Sequence, residues 1–162
     1  LDVGCALGDG FQILSSACRS VTSFSGTDFS EYAISANKKN PNLTGIKFFS
    51  HDIMMPLPEK YDNIICLQTI EHVSKPDFAF KNLIDATRRI LIVATPYMNR
   101  RPDENHLWSF DENDFAEYID EYCLDKSQKN IYYLVNKTNE RVCFNRGVFH
   151  MAINLNFLKK FL

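Results

Sequence analysis

No two of the five cysteines, Cys5, Cys18, Cys66, Cys123 and Cys143, stand in a CxxC pair, and their number is odd. That pattern excludes a disulfide framework and offers no zinc-ligand spacing, so no metal site is expected. It is the cysteine usage of a protein kept in a reducing cytosol. Long apolar runs are also missing. Stretches such as Ile90 to Ala94 fall far short of the roughly 20 residues that a bilayer-spanning helix needs, and no signal peptide is visible. Neither sign of charge prevails: 18 Lys and Arg against 20 Asp and Glu leave a net charge of -2. This balance disfavours nucleic acid or an anionic membrane surface as a partner and leaves a small molecule as the favoured one. Internal repeats and low-complexity tracts are absent. So is an initiator methionine. The chain opens inside what reads as a strand, so further N-terminal elements are expected ahead of it.

What is present is enough for one domain. The chain has 162 residues, 45% of them hydrophobic, which can bury a substantial core. Short apolar runs alternate with amphipathic stretches. Leu1 to Gly4 reads as the end of a buried strand and Gly8 to Cys18 as a helix with Phe11, Ile13, Leu14 and Ala17 on its inner face. Val21 to Gly26 reads as a second strand ending at Thr27-Asp28. Ser30 is suited to cap the next helix, and Asn40-Pro41-Asn42 breaks it. Ile46 to Phe49 and Tyr61 to Leu67 read as strands three and four. Pro76 starts a helix running to about Arg88, and Ile90 to Ala94 is a fifth strand stopped by Pro96. Strands apolar on both faces belong in a parallel sheet covered by helices.

Beyond Pro96 a polar loop leads to a predicted helix from about Glu112 to Tyr122, with Asp111 as N-cap and Asp114 in the reciprocal place of an imperfect capping box. Ile131 to Val135, Val142 to Phe144 and Val148 to Leu155 are β-rich and are expected to pair as a hairpin. The expected fold is a doubly wound, Rossmann-like α/β sandwich with a terminal antiparallel pair, a single domain over residues 1–162.

In such a sheet, ligands bind outside the carboxyl ends of the strands, near the point where strand order reverses. Strand one delivers Gly4-Cys5-Ala6-Leu7-Gly8 to that edge, a turn whose glycines let backbone approach a ligand. Alone, that turn is equally a tight connection with no ligand. Strand two delivers Asp28, 20 residues after Gly8, where a carboxylate can accept both hydroxyls of a ribose and also favours a helix N-terminus. Strand three delivers Asp52-Ile53, a carboxylate able to accept from an adenine amine beside an apolar residue able to pack on the ring. Strand four delivers Gln68 to His72.

In order and spacing, these segments resemble the class I S-adenosylmethionine-dependent methyltransferases, in particular the small-molecule type. Leu1-Asp2-Val3-Gly4-Cys5-Ala6-Leu7-Gly8 looks like the family's first motif, Gly26-Thr27-Asp28-Phe29-Ser30 its acidic second motif, and Phe49-Ser50-His51-Asp52-Ile53 its adenine-contacting segment. Tyr61 to Leu67 followed by Thr69-Ile70-Glu71-His72-Val73 is similar to the fourth strand and its Glu-His segment, and Ile92 to Pro96 to the fifth strand.

The resemblance implies a strand order of 3-2-1-4-5-7-6 and S-adenosylmethionine as cofactor. It implies that the backbone of Gly4, Cys5, Ala6 and Gly8 holds the methionine part, with Asp2 supporting the turn and the ammonium. Asp28 would bind the ribose, Phe29 and Ile53 would flank adenine, Asp52 would accept from its amine, and backbone at Leu67 and Gln68 would meet the ammonium. Two departures stand out. Ala6 replaces the usual middle glycine, which a methyl group tolerates if φ stays negative. The usual Gly-Gly turn before strand five is also missing: Arg88-Arg89 runs straight into Ile90.

His72, at the binding edge, is the candidate general base if the acceptor must lose a proton, since histidine is the side-chain type suited to proton transfer near neutral pH; packing beneath the pocket is the alternative. Tyr97, Arg101, His106 and Trp108 lie on the loop expected to face the substrate. Arg100-Arg101 also fits a solvated pair, Trp108 a packing residue, and Met54-Met55 core filling. The acceptor expected is a small molecule, lipid precursor or sugar, methylated at oxygen. Two other functions remain open. One is a nicotinamide-dependent oxidoreductase, although GxGxxG fails at Ala6 and Asp9 from Gly4, and at Ile13 from Gly8. The other is an inactive methyltransferase-like partner subunit.

Overall fold

The computed structural model describes residues 1–17, 21–98 and 106–138. Seven strands form one sheet: β1 (Asp2–Val3), β2 (Ser25–Asp28), β3 (Lys47–Ser50), β4 (Tyr61–Leu67), β5 (Thr87–Pro96), β6 (Glu121–Asp125) and β7 (Asn130–Asn136). Their order is β3-β2-β1-β4-β5-β7-β6. The first five are parallel; β7 runs antiparallel to β5, and β6 antiparallel to β7. Strand order reverses between β1 and β4, which therefore flank the switch point. This is the expected doubly wound sheet with its terminal antiparallel pair.

Helices α1 (Gly10–Ala17), α2 (Glu31–Lys39) and α3 (Pro76–Ala86) make the crossovers. Ser30 caps α2 as expected, its hydroxyl accepting from the Ala33 N–H at 3.2 Å, with Glu31 in the first turn and Lys38 and Lys39 in the last to complement the helix dipole. Asn40 ends α2, and Pro41–Leu43 forms a short 3-10 turn.

Apolar residues on both sides of β5 separate two cores. Ile90, Ile92 and Ala94 join Phe11, Leu14 and Ile34 of α1 and α2. Leu91 and Val93 join Ala79, Phe80 and Leu83 of α3. Alternate residues point to opposite faces of a strand, so a run with no polar member serves two covered faces.

The structure differs from the sequence reading in three larger respects, beside shifts of one or two residues at α1, α3 and β3. Strand β2 begins at Ser25, not Val21; residues 21–24 carry no strand pairing, although Val21 and Phe24 still pack on the core. Strand β5 extends back to Thr87 and includes Pro96, which pairs with Asn130 at the strand's last position, where a proline is tolerated. The helix expected over Glu112 to Tyr122 does not form. Residues 112–118 make turns, and Glu121, Tyr122 and Cys123 enter β6.

The capping bonds expected there do exist: Asp114 Oδ2 accepts from the Asp111 N–H at 2.6 Å, and Asp111 Oδ1 from the Asn113 N–H at 2.7 Å. They close a turn that does not propagate, because Phe115 takes a left-handed φ of 58°. Its ring stacks on Phe80 at 4.2 Å between centroids and meets Tyr133 edge-on at 5.2 Å, and the Tyr133 hydroxyl donates to the Asp111 carbonyl at 2.6 Å. Burial of this aromatic group outweighs local helix preference. Of the segments expected to pair as a hairpin, Val142 to Phe144 and Val148 to Leu155 lie outside the described residues, while Ile131 to Val135 lies in β7. Strand β7 pairs instead with β6, which precedes it. Among the described residues no helix is long and apolar enough to cross a membrane.

Phe80 is fully buried at the centre of this group. Phe80→Ala is expected to lower unfolding free energy by about 3–5 kcal/mol in urea titrations. A loss under about 1 kcal/mol would show that the aromatic group does not anchor residues 110–118.

Candidate cofactor site

The carboxyl ends of β1, β2 and β4 meet the segment after β3 around a cavity of about 510 Å³. Gly4, Ala6, Asp28, Phe29, Asp52, Ile53, Gln68 and His72 line it, so eight residues expected from the sequence share one space. His51, Met54, Thr69, Val73 and Ser74 complete its wall. Cys5, Gly8 and Leu67 do not line it: Cys5 is buried in the core and Leu67 packs against it. Asp2 lies beneath, on β1. A smaller cavity of about 190 Å³ touches Asp2, Phe11 and Arg89 but no other residue expected at the site.

The turn after β1 depends on its glycines. Gly4 has φ of 77°, and a Cβ there would stand 2.0 Å from Thr69 Oγ1. Gly8 has φ of 80°, and a Cβ there would stand 2.6 Å from Leu43 Cδ1. Between them Ala6 departs from expectation: its φ is 44°, in the left-handed region. The strain is held by neighbours. Ala6 N–H donates to Asp28 Oδ2 at 2.9 Å, and its carbonyl accepts from Asn37 Nδ2 at 2.8 Å. The other oxygen of Asp28 accepts from the Ser30 N–H at 2.8 Å. Each carboxylate oxygen keeps a further lone pair.

Asp2 is buried against the start of α1, where a Cβ on Gly10 would lie 3.4 Å from its Oδ2. Burial, with Asp28 adding negative charge nearby, pushes its carboxyl up to about 6. Across the cavity Phe29 is 77% exposed, while Ile53 is buried. Asp52 Oδ1 accepts from the Met54 N–H at 2.9 Å, which closes a turn after β3. Met55 is exposed, which corrects its assignment to core filling.

The end of β4 carries the remaining groups. Gln68 has φ of 51°, and its N–H donates to the Ala94 carbonyl at 2.8 Å. A 3-10 turn over Ile70–His72 follows. It places His72 on the cavity wall and Glu71 inside the protein, with no exposed surface. Glu71 Oε2 accepts from Thr95 Oγ1 at 3.3 Å, but buried Oε1 has no hydrogen-bond partner. Burial raises this carboxyl above the ordinary carboxylate range.

Of the residues expected to face substrate, His106 comes near the site, with its ring centroid 5.0 Å from that of His72. Two hydrogen bonds dock its segment: Leu107 N–H to the Glu71 carbonyl at 2.9 Å, and Trp108 Nε1 to the Val73 carbonyl at 2.7 Å. Trp108 therefore fastens the loop. Tyr97 turns aside to donate to Glu112 at 2.9 Å and does not line the cavity. Arg101 lies outside the described residues. The grouping of Glu71, His72 and His106 was missed in sequence because 34 residues separate the two histidines and the fold brings them together.

A parallel sheet with its cavity at the switch point, a glycine cradle and acidic strand ends defines a doubly wound α/β nucleotide-type binding protein. The chain belongs to the family described as "Methyltransferase domain", whose model matches residues 1–89. It is an enzyme, an S-adenosylmethionine-dependent methyltransferase.

Solved structures share the fold. An S-adenosylmethionine-dependent methyltransferase from Clostridium acetobutylicum is 15% identical, with 83% of this chain and 82% of that one covered and a TM-score of 0.65. Magnesium protoporphyrin IX methyltransferase from Synechocystis with bound SAH is 17% identical, with 85% and 73% covered and a TM-score of 0.63. A putative methyltransferase from Haloferax volcanii, in complex with the Trm112 methyltransferase activator, is 10% identical, with 84% and 80% covered and a TM-score of 0.70. The comparison with curated proteins finds no match.

Left-handed backbone at a non-glycine residue costs about 1–2 kcal/mol, partly offset in a glycine variant by greater freedom of the unfolded chain. Ala6→Gly is therefore expected to be neutral or stabilising by up to about 1 kcal/mol in urea unfolding. Gly4→Ala is expected to destabilise by more than that, because its methyl would overlap Thr69. Equal effects of the two substitutions would refute this account of the turn.

Proposed function

We propose that the 510 Å³ cavity holds S-adenosylmethionine and that the enzyme methylates an oxygen of a small-molecule, lipid-precursor or sugar acceptor. One observation carries the reading: Gly4, Ala6, Asp28, Asp52 and His72 all border the same space. The lining fits the cofactor, since Gly4 and Ala6 present backbone to the cavity and Asp28 keeps lone pairs beyond those used by Ala6 and Ser30. In this reading Asp28 accepts from the ribose hydroxyls, Phe29 and Ile53 enclose the adenine, and Asp52 accepts from its amine. The backbone from Gly4 to Gly8 and at Leu67 and Gln68, with Asp2 beneath, holds the methionine end.

S-adenosylmethionine supplies a methyl group already activated by its sulfonium, so the chain's task is to align the acceptor, exclude water and manage one proton. Phe29 and Ile53 remove water at the adenosine end. His72, on the wall, takes the proton that the acceptor oxygen releases. The net charge of -2 supports a small acceptor over a nucleic acid. Buried, unbridged cysteines at Cys5 and Cys66 support a reducing, cytosolic setting.

Isothermal titration with S-adenosylhomocysteine is expected to give one site per chain. Asp28→Ala should weaken it at least tenfold, about 1.4 kcal/mol. Binding of NAD in its place, or of neither, would overturn the reading.

Affinity should also rise with pH. Asp2 in the free protein holds its proton up to a pH of about 6, whereas an adjacent ammonium favours the carboxylate, so binding releases a proton below that point. Affinity is then expected to increase from pH 5 to 7, and Asp2→Asn should flatten the profile. For folding the sign is opposite. The folded carboxyl lies above its unfolded value near 3.9, so ionising it costs stability as pH rises between the two. Asp2→Asn should therefore gain stability relative to the wild type at pH 7 compared with pH 3. A pH-independent difference would reject this role for Asp2.

A further inference from the structure

We propose that Glu71, His72 and His106 form a binding site for a first-row divalent cation, Zn²⁺ or Mn²⁺, at the acceptor side of the cavity. Their ligand atoms, one carboxylate oxygen and two imidazole nitrogens, all lie within 4.8 Å of one another. Glu71 Oε1 is 4.0 Å from His72 Nε2, and the two imidazole rings are inclined at 34°. Bonds of about 2.1 Å to a shared cation set ligand atoms roughly 3–3.5 Å apart. Small rotations of the two imidazoles would therefore close the site, without backbone movement.

The independent observation is Glu71 Oε1. It is fully buried, accepts no hydrogen bond, and lies on the side of the carboxylate nearest His72, while Thr95 holds the opposite oxygen. A buried carboxylate oxygen left without a partner is costly, and a cation is the partner that this oxygen lacks. The Thr95 contact is of the kind that orients a ligating carboxylate from behind. The third ligand is brought in by construction, since Leu107 and Trp108 tie the His106 segment to Glu71 and Val73 by hydrogen bonds.

The donor set selects the metal class. Two imidazoles and one carboxylate suit first-row divalent ions better than Mg²⁺ or Ca²⁺, which favour all-oxygen surroundings. Three protein ligands leave positions open, the mark of a catalytic rather than a structural metal. His72 borders the cavity, so those positions face the space where the acceptor enters.

This rests on the cofactor reading above and assigns His72 a different task within it: holding the cation that acidifies the acceptor's hydroxyl. That hydroxyl gives its proton to solvent, and its oxygen forms a bond to the methyl carbon as the carbon–sulfur bond breaks. S-adenosylhomocysteine leaves as the neutral thioether.

The test is direct metal titration of the chelator-stripped full chain with Zn²⁺, Mn²⁺ and Mg²⁺, followed by isothermal titration with S-adenosylhomocysteine alone. The expected result is one Zn²⁺ or Mn²⁺ per chain, with Mg²⁺ much weaker. His106→Ala should abolish this binding while S-adenosylhomocysteine still binds within about threefold of the wild type. Thr95→Val, which keeps all three ligands, should weaken metal binding about 10–100-fold. A Co²⁺ complex should show weak visible bands without thiolate charge transfer, which separates this site from the cysteines. Absence of Zn²⁺ and Mn²⁺ binding, or unchanged binding in His106→Ala, would overturn the proposal and return Glu71 to orienting His72 as a base. Failure of S-adenosylhomocysteine to bind would instead overturn the cofactor reading.

Discussion

The Asp28 carboxylate is the tie on which the binding edge depends. It takes the N–H of Ala6 with one oxygen and that of Ser30 with the other, joining the turn after β1 to the start of α2. Neither partner is independent of it. Ala6 has an unfavourable φ that needs an external hold, and Ser30 must be fixed before it can cap α2. Asn37, on the same helix, completes the hold by donating to the Ala6 carbonyl. A single side chain thus sets the shape of the cradle and the entry of the neighbouring helix, and ligand hydroxyls would meet an acceptor already fixed in place.

The two halves of the site are built differently. The half around Gly4, Asp28 and Asp52 is mostly backbone geometry: glycines pressed against Thr69 and Leu43, and turns closed by aspartates. The half around His72 is a buried carboxyl group and two imidazoles, brought together by a loop docked through Leu107 and Trp108. Backbone geometry suits a ligand that never changes. Side chains on a docked loop suit a part of the site that varies with the acceptor.

Much of the fold was legible in the sequence because its signals are local. Ile64 to Leu67 and Ile90 to Ala94 lack polar members, Ser30 precedes a helical period, and Pro41 and Pro76 punctuate. The cofactor cradle was legible as order and spacing of Gly4, Asp28 and Asp52 along the chain. What failed was decided at long range. Residues 112–118 carry good capping chemistry, yet the contacts of Phe115 with Phe80 and Tyr133 choose a left-handed turn. The sign of φ at Ala6 depends on Asp28 and Asn37, and no residue beside it announces them. Glu71 and His106 show nothing in sequence of their nearness, because hydrogen bonds of a returning loop create it.

Between α3 and β5 there is no connecting loop: the helix ends at Ala86 and the strand begins at Thr87, which serves as the helix C-cap and bonds back to the Leu83 carbonyl at 2.7 Å. A joint with no loop ties helix length to strand register, with only the register shift between Thr87 and Ile90, opposite Tyr61 and Asn63, to give. An inserted or deleted residue in α3 would turn its apolar face away from the sheet and slide β5 along β4 together. This joint, at the edge of the sheet opposite the cavity, therefore tolerates little length variation. The long connections after Ser50 and Pro96 can absorb it. Divergence among descendants of this chain should accumulate as insertions in those connections, while the residue count across the α3–β5 joint stays fixed.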